Sequence, residues 1–392
     1  MEKIVVTGYG IKAPGIHNKE EFKEALELGI CTMDILKGLG PNDADIVAGI
    51  IKDDFLTIKG KNYKRYPRVS RLAIQTADDA IEMAKLVGID PSRMSVVVGT
   101  ATGGIKEIEE NAALANDIKK YPIHGLNLAD PHTVSSAVAA HLGITGQVFT
   151  ITTGCAASSD AISLGKLLLE SRQTDVCIVG GADASLGKWS IFGFSKLRQI
   201  GLNKRIGETG VPFSHAHRGF VMAEGAGMLT LERESDAIRR GATIYGVIEG
   251  VHSNNDGLGM FQSDETGYGM YKAMKSAIKK NIPTYVNSQA LGLASNDQIE
   301  SFVHERLFGQ SVPITSIKGM FGHTFGAMGA IQVISSLISI EHNFIPPTLL
   351  TKGEGFEELP IVFETKHCPV DNVAITTHGN SGNNTCILIG KY

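Results

Sequence analysis

Short apolar runs rich in β-branched residues alternate along the chain with stretches whose apolar positions recur at three- and four-residue spacing. Lys3 to Thr7 reads as a strand. Ser95 to Gly99 (SVVVG) and Asp175 to Gly180 (DVCIVG) are continuous apolar runs, the pattern of strands covered on both faces. Asn18-Lys19-Glu20-Glu21 is a capped helix start, and that helix is expected to end near Gly29. Further helices are predicted over Arg71–Val87, Cys155–Ser171, Met270–Lys280 and Phe325–Glu341. Strand and helix alternate throughout, which predicts an α/β fold with a mixed, largely parallel sheet covered by helices.

The same order of parts occurs twice. Cys155 opens a helix of small residues, followed by the strand at Asp175–Gly180, a glycine turn and a strand at Gly227–Glu232. His323 opens a second Gly/Ala-rich helix, followed by a strand at Val373–Thr377, a glycine turn and a strand at Asn384–Gly390. The echo predicts a duplicated unit joined near Arg239–Tyr245, with residues 1–240 as one half and 241–392 as the other. No low-complexity linker separates the halves, so they are expected to pack as one body.

Composition narrows the function classes. The 392 residues include 45 glycines, where average usage of ~7% gives roughly 27. No Gly-x-y period accompanies them, so they point to tight turns and close backbone approaches. A net charge of -4 gives no general basis for nucleic-acid binding. No apolar stretch approaches the roughly 20 residues that span a bilayer, and no secretory leader is visible. Five scattered cysteines without a C-x-x-C pair argue against a disulfide framework or a zinc site. The expectation is a cytoplasmic α/β protein.

Three segments carry candidate chemistry. Cys155 follows a strand-like run and Gly154 and precedes a helix, so a sharp turn would hold its sulfur at a helix N-terminus. There the macrodipole is expected to lower the thiol pKa. His323 stands among Gly319, Gly322 and Gly326, with Lys318 nearby; a neutral imidazole there can donate to a thioester carbonyl or act as a base. Lys59 to Arg71 (KGKNYKRYPRVSR) holds six cationic residues and no acidic one, a candidate landing site for an acidic partner. Two other patterns are set aside. Gly8-Tyr9-Gly10 resembles a dinucleotide fingerprint, but Pro14 and Gly15 break the helix that should follow, leaving a turn. His215-Ala216-His217 lacks the further ligands a metal needs.

Taken together, these segments resemble the β-ketoacyl-acyl-carrier-protein synthases of the elongating type, within the thiolase-fold condensing enzymes. The resemblance spans essentially the whole chain. It rests on Val5-Val-Thr-Gly-Tyr-Gly10, the block from Asp90 to Thr100, the Cys155 segment, Asp175 to Asp183, Pro212 to Gly227, and Lys318 to Gly329. It implies two duplicated βαβαβαββ halves in a five-layered α-β-α-β-α core and a dimer. Cys155 would accept the acyl chain, with Lys318 and His323 in the active site. Lys61, Lys64, Arg65 and Arg68 would face the acidic acyl carrier protein. No cofactor of its own is implied, because phosphopantetheine arrives on the carrier.

The departures from the family pattern are localised. The second histidine of the family's Val-Asn-Ala-His-Gly-Thr block is replaced by Gln289 in Val286-Asn287-Ser288-Gln289-Ala290-Leu291. Asp297 and Glu300 are kept, and Glu300 is expected to pair with Lys318. The gating Gly-Phe-Gly-Gly-Thr-Asn loop reads Gly379-Asn380-Ser381-Gly382-Asn383-Asn384, so Asn380 stands where the gate phenylalanine would be. In the family reaction Cys155 would be acylated, malonyl-carrier protein would lose carbon dioxide, and the enolate would attack the acyl-cysteine. The two histidines would donate to the thioester oxygen, and losing one such donor costs ~10²–10³ in rate. A glutamine amide can donate but cannot titrate. Three readings follow: a condensing enzyme of fatty-acid or polyketide synthesis, a non-elongating acyltransferase, and a non-catalytic chain-length-factor-like subunit, homodimeric or paired with another ketosynthase.

Overall fold

The computed structural model describes residues 2–53, 56, 66–202, 205–216, 219–260, 262–379 and 381–392. Ten strands form its central sheet: β1 (Ile4–Lys12), β2 (Met94–Gly99), β3 (Val148–Ile151), β4 (Val176–Asp183), β5 (Gly225–Arg233), β6 (Gly246–Asn255), β7 (Tyr285–Asn287), β8 (Ile314–Thr315), β9 (Asn372–His378) and β10 (Asn383–Gly390). The spatial order is β3-β2-β4-β5-β1 in the first half and β8-β7-β9-β10-β6 in the second. Each half therefore lays its five strands down in the same sequence, which is the duplication expected from the repeated order of motifs. In both halves three parallel strands are followed by two antiparallel ones. The halves join where β1 meets β6, through Val5 opposite Val247 and Val6 opposite Gly246.

Seven helices matter for the site: α1 (Lys19–Leu28), α2 (Arg68–Ala84), α3 (His132–Leu142), α4 (Ala157–Glu170), α5 (Tyr268–Ile278), α6 (Ala294–Phe308) and α7 (Met328–His342). Helices α2 and α3 cover the outside of the first half-sheet, and α5 and α6 the outside of the second. Between them lie α4 and α7, which touch each other and strands of both halves. The layering is α-β-α-β-α. Helix α7 shows why it occupies the middle: every residue from Met328 to Ile340 is buried. Its apolar residues fill the core, each contributing on the order of 1.5–3 kcal/mol. Its polar residues find partners inside, as when Asn287 donates to Ser335 at 2.9 Å and Tyr285 to Ser339 at 3.1 Å.

Local sequence signals are met closely at α1. The Asn18 side chain accepts from the Glu21 backbone N–H at 2.9 Å, and Gly29 ends the helix at φ 64°. The Gly8-Tyr9-Gly10 segment departs from expectation, since it continues strand β1 instead of turning. Helix α2 crosses so closely that a Cβ on Gly8 would lie 2.2 Å from the Ala80 carbonyl oxygen, and one on Gly10 2.1 Å from that of Thr76. These glycines serve helix–strand contact. The His215 ring stacks on Phe356 at 4.8 Å between centroids; His217 lies outside the described residues. No helix among the described residues is long and apolar enough to cross a membrane.

Helix α6 carries a buried histidine with a consequence for acid stability. His304 Nε2 donates to the Val312 carbonyl at 2.8 Å while Nδ1 has no hydrogen-bond partner among the described residues. Burial lowers its pKa from 6.5 to about 4. The unfolded chain takes up this proton as pH falls below 6.5, and the folded chain does not until about 4, so acid removes stability across that window. Between pH 7 and pH 5 the loss from this one residue is about 2 kcal/mol. His304→Gln should lose correspondingly less between those pH values in urea denaturation; equal losses in both proteins would refute the assignment.

Candidate active site

Strand β3 ends at Ile151, and a single 3₁₀ turn, Gly154–Ala156, leads into α4. Gly154 takes φ 62° with open space where a Cβ would be, so the backbone conformation is what calls for glycine. The turn puts Cys155 at the start of α4, where Thr153 donates to Asp160 at 2.5 Å and braces the corner.

The second half brings its histidine to the same place. His323 is clamped by its own backbone: its N–H donates to the Val221 carbonyl at 2.8 Å, and its carbonyl accepts from Ala223 at 2.9 Å. The ring packs edge-on to Phe220 and against Phe325. Its Nε2 lies 3.0 Å from Cys155 Sγ across 168 residues of sequence. Asp183, at the end of β4, holds the following turn. Its carboxyl accepts from Gly326 N at 2.7 Å, Ala101 N at 2.8 Å, and both the Thr102 N–H and hydroxyl at 3.1 and 2.8 Å. Asp183 was not singled out by its residue type; the Gly180-Gly181-Ala182-Asp183 segment was the available signal.

The protonation of the pair differs from the sequence expectation. Protein packed around the Cys155 sulfur desolvates it, and nearby Asp183 adds repulsion, so the thiol is pushed up to about 12 despite the helix start and Lys318. Burial outweighs the macrodipole, whose effect amounts to ~0.3–2 kcal/mol. The same burial, with Lys318 nearby, holds His323 well below its ordinary value. The resting pair is neutral thiol and neutral imidazole, ready for the sulfur's proton to pass to Nε2 on attack.

Lys318 is buried and donates from Nζ to the Ser288 carbonyl at 3.1 Å. Burial pulls its pKa down to about 8, opposed by Glu300 and Asp297, so it is still largely charged at neutral pH. The expected direct pairing with Glu300 is replaced by a longer-range one. Glu300 Oε2 accepts from Ser288 at 2.7 Å and Thr376 at 2.8 Å, and no Lys318 contact at ion-pair distance forms. The reason is that Ser288 stands between the two, taking Lys318 on its carbonyl and Glu300 on its hydroxyl. Asp297, a turn earlier on α6, accepts from the backbone of Phe213, Leu291 and Gly292 and fixes the loop beyond Gln289.

Gln289 is buried in this centre. Its backbone N–H donates to Thr376 at 3.1 Å and its amide donates to the His378 carbonyl at 3.3 Å, while Oε1 has no partner among the described residues. Asn380 lies outside the described residues, as do Lys61, Lys64 and Arg65. Its neighbour Gly379 packs on the nucleophile turn, where an added Cβ would lie 3.5 Å from Cys155 N. Arg68 corrects the docking expectation. Its guanidinium is buried and donates to both oxygens of Glu224, at 2.8 and 2.9 Å, and also to Asp53 and the Ile51 carbonyl. An arginine so enclosed presents no charge to a partner; the cationic pattern in the sequence could not reveal Glu224 waiting 156 residues away.

A cleft of 490 Å³ reaches His378, whose carbonyl holds the Gln289 amide, and is lined also by Leu258, Gln262, Asp264, Ser295 and Asn296 among others.

Residues 1–237 match the family model for the beta-ketoacyl synthase N-terminal domain, and residues 245–352 the model for its C-terminal domain. The chain is 28% identical, over 88% of its length and 87% of the relative's, to a tetracenomycin polyketide synthase ketoacyl synthase alpha subunit of Streptomyces glaucescens. It is 27% identical to a 3-oxoacyl-[acyl-carrier-protein] synthase 2 of Synechocystis, covering 100% of this chain and 98% of that one. Among solved structures it is similar to the type II polyketide ketosynthase complex AntDE:AntF, described with its acyl-carrier protein and a bound hexaketide. There the TM-score is 0.91 at 25% identity, over 100% and 99% of the two chains. A beta-ketoacyl synthase from Burkholderia phymatum shares the fold at TM-score 0.89 and 24% identity, with both chains covered completely.

Proposed function

The chain belongs to the beta-ketoacyl synthase family, and from that premise we propose that it takes an acyl group from an acyl carrier protein onto Cys155 and condenses it with a malonyl-derived enolate. The observation that carries this reading is the 3.0 Å contact between Cys155 Sγ and His323 Nε2 at the start of a helix. Cys155 Sγ attacks the carrier thioester as its proton moves to Nε2; the carrier's thiolate leaves and takes up that proton. The Lys318 cation favours negative charge developing nearby. Loss of carbon dioxide from a malonyl thioester then leaves an enolate, whose carbon bonds to the acyl carbonyl while the Cys155 sulfur departs. The phosphopantetheine belongs to the carrier, and no resident cofactor enters these steps.

A second reading, acyl transfer without elongation, is favoured by Gln289, whose amide is committed to the His378 carbonyl at 3.3 Å. The formed Cys155–His323 pair speaks against a non-catalytic subunit. The assembly we infer is a dimer, of identical or sister subunits, acting in the cytoplasm. It is supported by β3, an edge strand carrying exposed Phe149, and by exposed Ile118, Ile123, Leu126 and Trp189.

The test offers the purified chain acetyl-, hexanoyl- and decanoyl-carrier proteins and reads intact mass, then adds malonyl-carrier protein. An acyl adduct followed by carbon dioxide and a chain two carbons longer is expected. An adduct without carbon dioxide would establish the acyltransferase reading instead, and no adduct from any donor would exclude both.

A further inference from the structure

His378 is the last residue of β9 and has no role in the steps above. It is 6% exposed, and its Nε2 makes no hydrogen bond among the described residues. The facing acidic atom, Glu300 Oε1, is equally unpartnered and lies 3.7 Å away. Buried polar groups of this kind are ordinarily satisfied, so a pair of them in one place points to a group that arrives. The place is the reaction centre. The His378 carbonyl holds the Gln289 amide, the next residue packs on the Cys155 turn, and His378 is among the residues lining the 490 Å³ cleft.

Other features carry less. The cavity around Lys12 and Asp79 is open, and its charged groups already contact one another. The Arg68–Glu224 cluster is saturated by its own hydrogen bonds.

We infer that His378, steered by Glu300, is a second imidazole of the reaction centre and donates a hydrogen bond to the thioester oxygen of a carrier-bound malonyl group. The inference rests on the condensing reading proposed above. As the carboxylate bond breaks and carbon dioxide leaves, its electron pair spreads onto that oxygen, where an N–H donor stabilises it. No proton need be exchanged with His378 in this step, and burial with Lys318 nearby lowers its pKa to about 4, which keeps the ring neutral. The neutral ring has one N–H, on Nε2, for that bond; Glu300 Oε1, 3.7 Å away and beyond hydrogen-bond reach, orients it by charge, its other oxygen being anchored by Ser288 and Thr376. Gln289 then serves as a brace for the His378 backbone, which accounts for a glutamine in this centre.

Two rates are measured on the full chain: hexanoyl adduct formation on Cys155, and labelled carbon dioxide release from malonyl-carrier protein after loading. His378→Phe keeps a ring without a donor, and His378→Asn keeps an amide donor. The ratio of decarboxylation to loading is expected to fall ~100-fold in His378→Phe and about tenfold in His378→Asn. A ratio within about threefold of the parent's in His378→Phe would overturn the inference. Should that variant not fold, an unchanged ratio in His378→Asn overturns it and a tenfold fall supports it. A parent chain that loads but releases no carbon dioxide would overturn the condensing reading and the inference together, whereas releasing parent and variants alike would overturn the inference alone.

Discussion

Cys155→Ala is expected to end acyl loading, with the intact mass unchanged after incubation with acyl-carrier protein and turnover down at least ~10⁴-fold. The chain has five free cysteines, but Cys177 and Cys386 are buried inside the sheet, and among the described residues only Cys155 has an imidazole nitrogen at hydrogen-bond distance. A thiol desolvated by its surroundings and pushed up to about 12 gives little thiolate by itself. Its nucleophilicity depends on His323 receiving the proton during attack, and alanine removes the atom that gives it. An adduct that persists in the alanine variant, mapped by peptide mass to Cys31 or Cys368, would place the nucleophile elsewhere.

Glu224→Ala is expected to cost about 3–5 kcal/mol, because it strips the enclosed Arg68 guanidinium of its buried carboxylate and leaves only the exposed one of Asp53. The effect should reach the active site as well. Glu224 follows Ala223, whose backbone N–H holds the His323 carbonyl at 2.9 Å, and it accepts from the Ile51 N–H at 3.2 Å. The double variant Arg68→Met/Glu224→Ala should recover much of the loss, since an apolar side chain carries no unpaired charge into the interior. Urea midpoints at constant slope measure both. A loss under about 1 kcal/mol in Glu224→Ala would show that solvent reaches Arg68, contrary to its enclosure.

Which parts of this were readable from the chain follows from the range of the forces involved. The helix at Lys19–Leu28 was marked by its Asn18 cap and by Gly29, both local signals, and its limits fall where those residues sit. The helix expected from Arg71 begins at Arg68 instead, because Pro67 starts it and tertiary packing supports its first turn. The Gly8–Gly10 segment failed for a different reason: strand and turn both tolerate glycine, and only the passage of α2 across it selects the strand.

By itself the sequence determined the alternation of strands and helices, the duplicated order of parts, and the local settings of Cys155, Lys318 and His323. Periodicity, capping and glycine placement act between near neighbours, so one chain is enough to read them. Tertiary structure alone decided that Cys155 and His323 meet at 3.0 Å and that Ser288 separates Lys318 from Glu300. It also buried Arg68 against Glu224 and left His378 Nε2, beside a cleft, without a hydrogen bond among the described residues. Those outcomes depend on desolvation and on hydrogen-bond partners supplied from distant segments, and a residue's charge state and free valence are fixed only when those segments have packed.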